Sequence, residues 1–590
     1  MFKTNPMKII NKLLYFFITL IFLACNTPSD NIESNIVVRN IINGNAKYGG
    51  ELNLSEEESF NSIFPAKVID VTSAKIVSQI HNGLVKFDTK DLSILPSIAK
   101  DWEINEDETQ YTFNLRNNVF FHDDPCFKNG KGRKVTAQDF KFSLELLCNA
   151  EFENSYNMIN NKIIGTTDLF NKEASELKGV EVINDTTLII KLDKPLYSFI
   201  FTLAMPNLSV IAKEAYEAYG IDMKVGTGAF KFTESKNELK DVYLIYNENY
   251  YLSDTYGNKL PYLDSIHFRF GLNKNEELES FKNNKLSLIH GLPANEIAVV
   301  VSESINDFKN SGNKPPKTIL GRKPELATQY YEFNILTEPF NDIRVRKAFN
   351  YAIDRQKILD NALNGQGNIG RKGITPIVNL FSNYNYDEIK GYDYNPELAR
   401  KLLAEAGYPN GENFPNVRLE LNLGGNLHLP VAEEVQQQLY NTLNVSIEFE
   451  QVSFKDKLEH SKYGKSEMFR SAWVADYPSP ETFLSIFYGA SVPESMEEAS
   501  YPNTTRYTNA TFDSLYLKGL HHLKDIERCH AFSQAEKILM EDAPIMILWY
   551  QEDYMLYTSS LKNFFFNSMM NVDLSEVYLN KTTDSTQTSK

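Results

Sequence analysis

The chain has 590 residues and a formal charge of -17, from 60 Lys and Arg against 77 Asp and Glu. That balance excludes a nucleic-acid surface, which needs clustered basic side chains, and favours solubility; four cysteines in this length exclude a disulfide scaffold. Hydrophobic residues at 42% and aromatics at 12% suit a packed globular protein with more than one core, so two or three domains are expected.

In chain order, Lys3, Lys8 and Lys12 precede the apolar run Leu13 to Leu23, which has the length of a signal-peptide core. It falls short of the roughly 20 apolar residues that span a bilayer. Phe22-Leu23-Ala24-Cys25 resembles a bacterial lipobox, with Phe22 where Leu is usual. The resemblance implies that residues 1–24 are removed and Cys25 is acylated. Residues 25–47 then read as a polar tether, with too little apolar surface to offset the entropy of ordering. A plain secretory cut near Ala24 is the alternative. Of the other cysteines, Cys126 and Cys148 would have a bridge open to them in an oxidising compartment, and Cys529 stands apart.

Strand and helix signals then alternate, which points to an α/β class. Tyr111 to Arg116 carries apolar residues at every second position, and Asn117-Asn118 supplies a turn. Thr136 reads as the N-cap of a helix that places Phe140, Ser143, Leu144 and Leu147 on one face. Thr187 to Leu192 reads as a strand leaving the turn at Asn184-Asp185. Asp342 caps a helix bearing Val345, Ala348, Phe349 and Ala352; Asn395-Pro396 opens another, closed by Gly407. Trp102 and Trp549 read as core, and the Thr- and Ser-rich residues 580–590 as a frayed tail.

Catalytic patterns are absent: no His-Glu-x-x-His helix, no Gly-x-Ser-x-Gly turn, no Cys-x-x-Cys pair. Gly130 to Thr136 has the wrong spacing for a phosphate loop. His521, His522 and His530 read as the solvated face of one helix, because adjacent histidines there point about 100° apart. His122 reads as a satisfied turn residue. No catalytic residue, metal or cofactor is expected.

Four blocks are specific. The first runs from Asn82-Gly83-Leu84-Val85 through Leu95-Pro96-Ser97-Ile98-Ala99-Lys100-Asp101-Trp102-Glu103 to Phe121-His122-Asp123 and the helix after Thr136. The second is Gly226-Thr227-Gly228-Ala229-Phe230, with Ala229 in place of the usual Pro, followed by Leu260-Pro261-Tyr262-Leu263-Asp264. The third is Phe340 to Ala348 continuing to Tyr351-Ala352-Ile353-Asp354-Arg355. The fourth is Trp473-Val474-Ala475-Asp476-Tyr477-Pro478. Together they resemble the bacterial family 5 extracellular solute-binding proteins, the dipeptide and oligopeptide receptors of ABC importers.

The resemblance implies a two-lobed, hinged periplasmic-binding-protein fold of type II with an additional third subdomain. One lobe would take residues 48–87, 225–330 and 545–579, the extra subdomain 88–224, and the other lobe 331–544. A short peptide would lie between the lobes, for delivery to a membrane permease by a monomer tethered to the membrane at the cell envelope, facing the periplasm or the exterior. Asp476 would hold the peptide ammonium and Arg470 the C-terminal carboxylate. Trp473 and Tyr477 would wall the site, the main chain of Ala472 and Val474 would pair with the ligand, and Asn82 and Leu84 would approach from the opposite lobe. A nickel chelate, haem or sugar ligand, an envelope peptidase and a signalling or adhesion receptor are the competing readings.

Overall fold

The computed structural model describes residues 44–233, 241–293, 295–312, 316–423, 427–521, 524–569 and 572–580. The expected signal segment, Cys25, most of the tether, His522 and residues 581–590 lie outside them.

Two long strands, Thr318–Phe333 and Ile545–Thr558, run antiparallel along most of their lengths. At one end of this ladder Leu288–His290 pairs with residues 555–557. At the other, Met468–Val474 pairs with residues 327–333, and Val417–Asn422 and Ile447–Val452 extend the sheet in parallel. With the short strand Asn368–Ile369 this makes a seven-stranded mixed sheet. Its register slips between Pro324 and Thr328, next to a residue with no N–H to donate.

Separate cores form along this ladder. Val345, Phe349, Leu419 and Val435 pack in one cluster beside residues 331–333, and Tyr330, Phe483, Phe512 and Phe532 in a second. Near residue 555 a four-stranded sheet, ordered Glu51–Glu56, Ser265–Phe270, Val242–Tyr246 and Phe230–Thr233, packs Leu52, Leu244 and Phe268 against Ile76 and Val77 of the helix Val71–Ile80. A further sheet, ordered Ala99–Ile104, Gln110–Leu115, Thr187–Lys191 and Val180–Asn184, packs with the helix Ala137–Leu147. Its core also takes in Phe64, Ala66, Leu84 and Val85, all upstream of residue 88.

Local signals translate directly. Thr136 forms a capping box with Asp139. Asp342 accepts from Arg344 N at 2.8 Å and Asn395 from Leu398 N at 3.0 Å, each opening the expected helix, Ile343–Ala352 and Pro396–Glu405. Gly407, at φ +103°, stands just past the second. Tyr111, Phe113 and Leu115 are buried in alternation. Trp102 packs part-buried on Phe113, and Trp549 is buried.

One expectation needs correction: His521 ends the helix Ala510–Leu520, whereas His530 lies within the next helix, Asp525–Asp542, so they do not share one helical face. His522 lies outside the described residues. Cys126, Cys148 and Cys529 are free thiols, each pushed up to about 12 by burial first of all. No helix among the described residues is long and apolar enough to cross a membrane.

The third block's arginines are structural. Arg346 is buried and donates to the carbonyls of Phe340 at 2.6 Å, Asp542 at 2.7 Å and Ala543 at 3.1 Å. Arg355, also buried, donates to Ile547 O at 2.6 Å and Tyr392 O at 2.9 Å. The planar five-donor fork of each suits several carbonyls at once, and together they tie the helices after Asp342 to the chain entering Ile545–Thr558. Arg355→Met strands those acceptors and is expected to cost roughly 3 kcal/mol in urea unfolding; a cost below about 0.5 kcal/mol, the range of ordinary surface substitutions, would contradict this role.

Candidate ligand-binding site

The fourth block lies on Met468–Val474 and the turn after it. Ala475 N donates to Leu326 O at 2.8 Å, and the register sets Trp473 opposite Thr328 and Ser471 opposite Tyr330. Hydrogen-bonded pairs alternate in an antiparallel ladder, so these residues aim their main chain at Thr318–Phe333. Ala472 and Val474 therefore aim theirs the other way. On that side Val417–Asn422 pairs only with Met468 and Phe469. From Ala472 onward the edge has no strand partner among the described residues, and Val474 is 53% exposed. Such an edge is a template for an added extended chain.

Asp476 follows at once. It is exposed, and no hydrogen bond or ion pair joins it to a described residue. Surrounding protein nonetheless raises its pKa, with Lys162 opposing. Lys162 has its own pKa lowered by burial, with Glu481 and Asp476 opposing.

Arg470 carries the complementary charge. Its guanidinium donates to Gln329 Oε1 at 2.6 Å and Asn422 Oδ1 at 3.4 Å, both neutral. No described carboxylate lies within ion-pair distance of it. Burial lowers its pKa, with Tyr331 and Tyr330 opposing. It lines a narrow crevice with Gln329, Tyr331 and His428.

The other expected residues are packed. Trp473 lies part-buried against the second core, its Nε1 buried without a partner. The Tyr477 ring stacks on Phe201 at 5.9 Å and its hydroxyl bonds the buried Glu481. Phe87 and Leu92 complete that cluster. The Tyr197 and Ser479 hydroxyls bond beside it, and Arg528 lies over the Tyr197 ring at 3.8 Å. Leu84 is core, its carbonyl accepting from Ser97 and Ala99. Asn82 keeps one buried, unpartnered oxygen, Oδ1. His122 bonds the main chain of Gly226 and Gly228, and burial pushes it down to about 4.

A cavity of about 730 Å³ opens beside this contact, lined by residues 90–93, 377–381 and 478–480 with Tyr197, Phe201, Arg528 and Asn567. None of the eight expected ligand residues lines it. Its walls come from segments far apart in sequence that carry no local pattern, though its volume is that of a ligand site.

A family model described as bacterial extracellular solute-binding proteins, family 5 Middle, matches residues 93–494. The chain belongs to this family. Heme-binding protein A of Haemophilus influenzae is 28% identical to this solute-binding protein over 81% of the chain and 83% of that protein. The periplasmic oligopeptide-binding protein OppA of Escherichia coli is 27% identical over 83% and 85%. Among solved structures, the periplasmic oligopeptide-binding protein OppAIV of Borrelia burgdorferi superposes with a TM-score of 0.70 at 27% identity, covering 90% of this chain and all 100% of that one. The fold is thus the two-lobed periplasmic-binding-protein type with an additional subdomain.

In this solute-binding protein Ala472→Pro removes one donor from the open edge and none from the ladder. Ligand affinity is expected to fall about tenfold or more, with the melting temperature within a few degrees of the parent. Unchanged affinity in calorimetry would exclude the edge from the site.

Proposed function

We propose that this protein captures short peptides outside the cytoplasm as the substrate-binding part of an ABC importer and performs no chemistry on them. The observation that carries this reading is a carboxylate and a guanidinium, neither in an ion pair with a described residue, flanking an unpaired strand edge. A free peptide supplies the three complements: an ammonium, a carboxylate and a main chain. Residues 470 and 476 are separated by at most about 22 Å of chain, a span for a few extended residues. Charge-assisted hydrogen bonds to each terminus are roughly twice as strong as neutral ones, and burying both charges is tolerable because each gains a partner.

Haem is the specific competitor, since one relative is named for it. Its carboxylates would satisfy Arg470 but leave Asp476 alone. A sugar offers only neutral hydroxyls to either charge, and a nickel chelate without an amine leaves Asp476 without an ammonium. Acylated Cys25, a monomeric state and a permease partner complete the proposal. The protein would then stand at the cell envelope, tethered to the membrane and facing the periplasm or exterior.

The test is Asp476→Asn. Because burial raises the Asp476 pKa, the folded protein binds this proton more tightly than the unfolded chain, and stability falls as pH rises through the interval between the two values. The substitution removes that penalty. The ligand-free variant is therefore expected to melt no lower than the parent at pH 7, while mass spectrometry finds few of the short peptides that co-purify with the parent. Equal peptide loads on both proteins would remove Asp476 from the site. A load of haem or sugar on the parent would overturn the ligand.

A further inference from the structure

The register that opens the strand edge also sets Arg470 beside one buried hydroxyl. Residues directly opposite in an antiparallel ladder share a face, with Cβ atoms roughly 5 Å apart. Arg470 stands opposite Tyr331, and Ala472 opposite Gln329. Tyr331 is 2% exposed, its ring in the same core as Phe333, Met468 and Trp549. Its hydroxyl is buried with no hydrogen-bond partner. Among the described residues, only the Arg470 charge acts against the burial that raises the pKa of this phenol. A buried hydroxyl left unpaired is costly, and for packing alone a Phe would serve.

The guanidinium does not close on this hydroxyl. Of its five N–H groups, one meets Gln329 Oε1 and one Asn422 Oδ1. Gln329, Tyr331 and Arg470 line one crevice. Arg470 is the first residue of its strand past the pairing with Val417–Asn422, and the next side chain on its face is only the methyl of Ala472. Phenol and guanidinium thus offer donors to one place, at the inner end of the open edge.

We infer that the Tyr331 hydroxyl is a second donor to the carboxylate that Arg470 holds, so that the two residues read the C-terminus of the ligand together. This rests on the peptide reading and deepens it. An ionised carboxylate only accepts, on two oxygens, so one oxygen takes guanidinium N–H groups while the other takes the phenol O–H. Both bonds are charge-assisted. A C-terminal amide gives the guanidinium one neutral oxygen and turns an NH₂ toward the phenol, whose bond is then between neutral groups and roughly half as strong. Tyr331 therefore favours the free acid.

The test is calorimetry with one short peptide, as free acid and as C-terminal amide, on the parent, Tyr331→Phe and Arg470→Gln. The parent is expected to bind the acid at least about tenfold more tightly than the amide, and Arg470→Gln to lose that preference. Tyr331→Phe is expected to weaken the acid about tenfold and the amide no more than about threefold. Its melting temperature should stay within a few degrees of the parent, because the hydroxyl has no bond in the fold to lose. If Arg470→Gln loses the preference while Tyr331→Phe binds both peptides as the parent does, the inference is overturned and the peptide reading stands. Equal losses for acid and amide in Tyr331→Phe would give the hydroxyl a packing role and overturn it too. A parent that binds neither peptide, or an Arg470→Gln that still prefers the acid, would remove the reading beneath it.

Discussion

Antiparallel hydrogen bonding between Thr318–Phe333 and Ile545–Thr558 is the constraint on which the other parts depend. The two strands run from the cores beside residues 331–333 to those beside residues 554–556, so a single ladder sets the spacing of those cores. Met468–Val474 takes its register from that ladder, and the register decides which main-chain groups face the open edge. A slip of one residue would exchange the two sets and turn every side chain to the opposite face. Arg346 and Arg355 matter for the same reason, because they pin the chain as it enters the second long strand.

Two charges of the fourth block stand open where other buried charges are closed. Buried Arg346 and Arg355 are saturated by carbonyls, and Asp139 by Arg133 at 2.7 Å. Asp476 and Arg470 have no such closure. Desolvation without a partner disfavours the charged form, which is the direction taken by both pKa values. Local instability of this kind is what groups kept ready for a ligand would show, as the proposed function has it. Tyr477, Phe201 and Tyr197 meanwhile supply apolar and hydroxyl contacts that hold the walls together beside the open charges.

Sequence made the local features legible because their causes are local. The caps at Thr136, Asp342 and Asn395 and the alternation from Tyr111 to Leu115 each rest on neighbours within four residues. The site was legible only in part. Asp476 could be picked out by resemblance, but that no described residue forms an ion pair with it is a fact about residues hundreds of positions away. Tyr477 and Trp473 carry the ring expected of a pocket wall, and nothing in a linear pattern tells a ring that meets ligand from one that packs between lobes. His521 and His530 looked like one helix because the intervening polar residues suit a helix surface as well as a turn. The cavity beside Tyr197 had no signature, since tertiary folding alone assembles it.

Calorimetry with one short peptide, its amine free or acetylated, tests most directly whether Asp476 holds an ammonium. Acetylation is expected to weaken binding to the parent about tenfold or more, or about 1.4 kcal/mol, and to leave binding to Asp476→Asn nearly unchanged. Equal affinity of the two peptides for the parent would contradict the account.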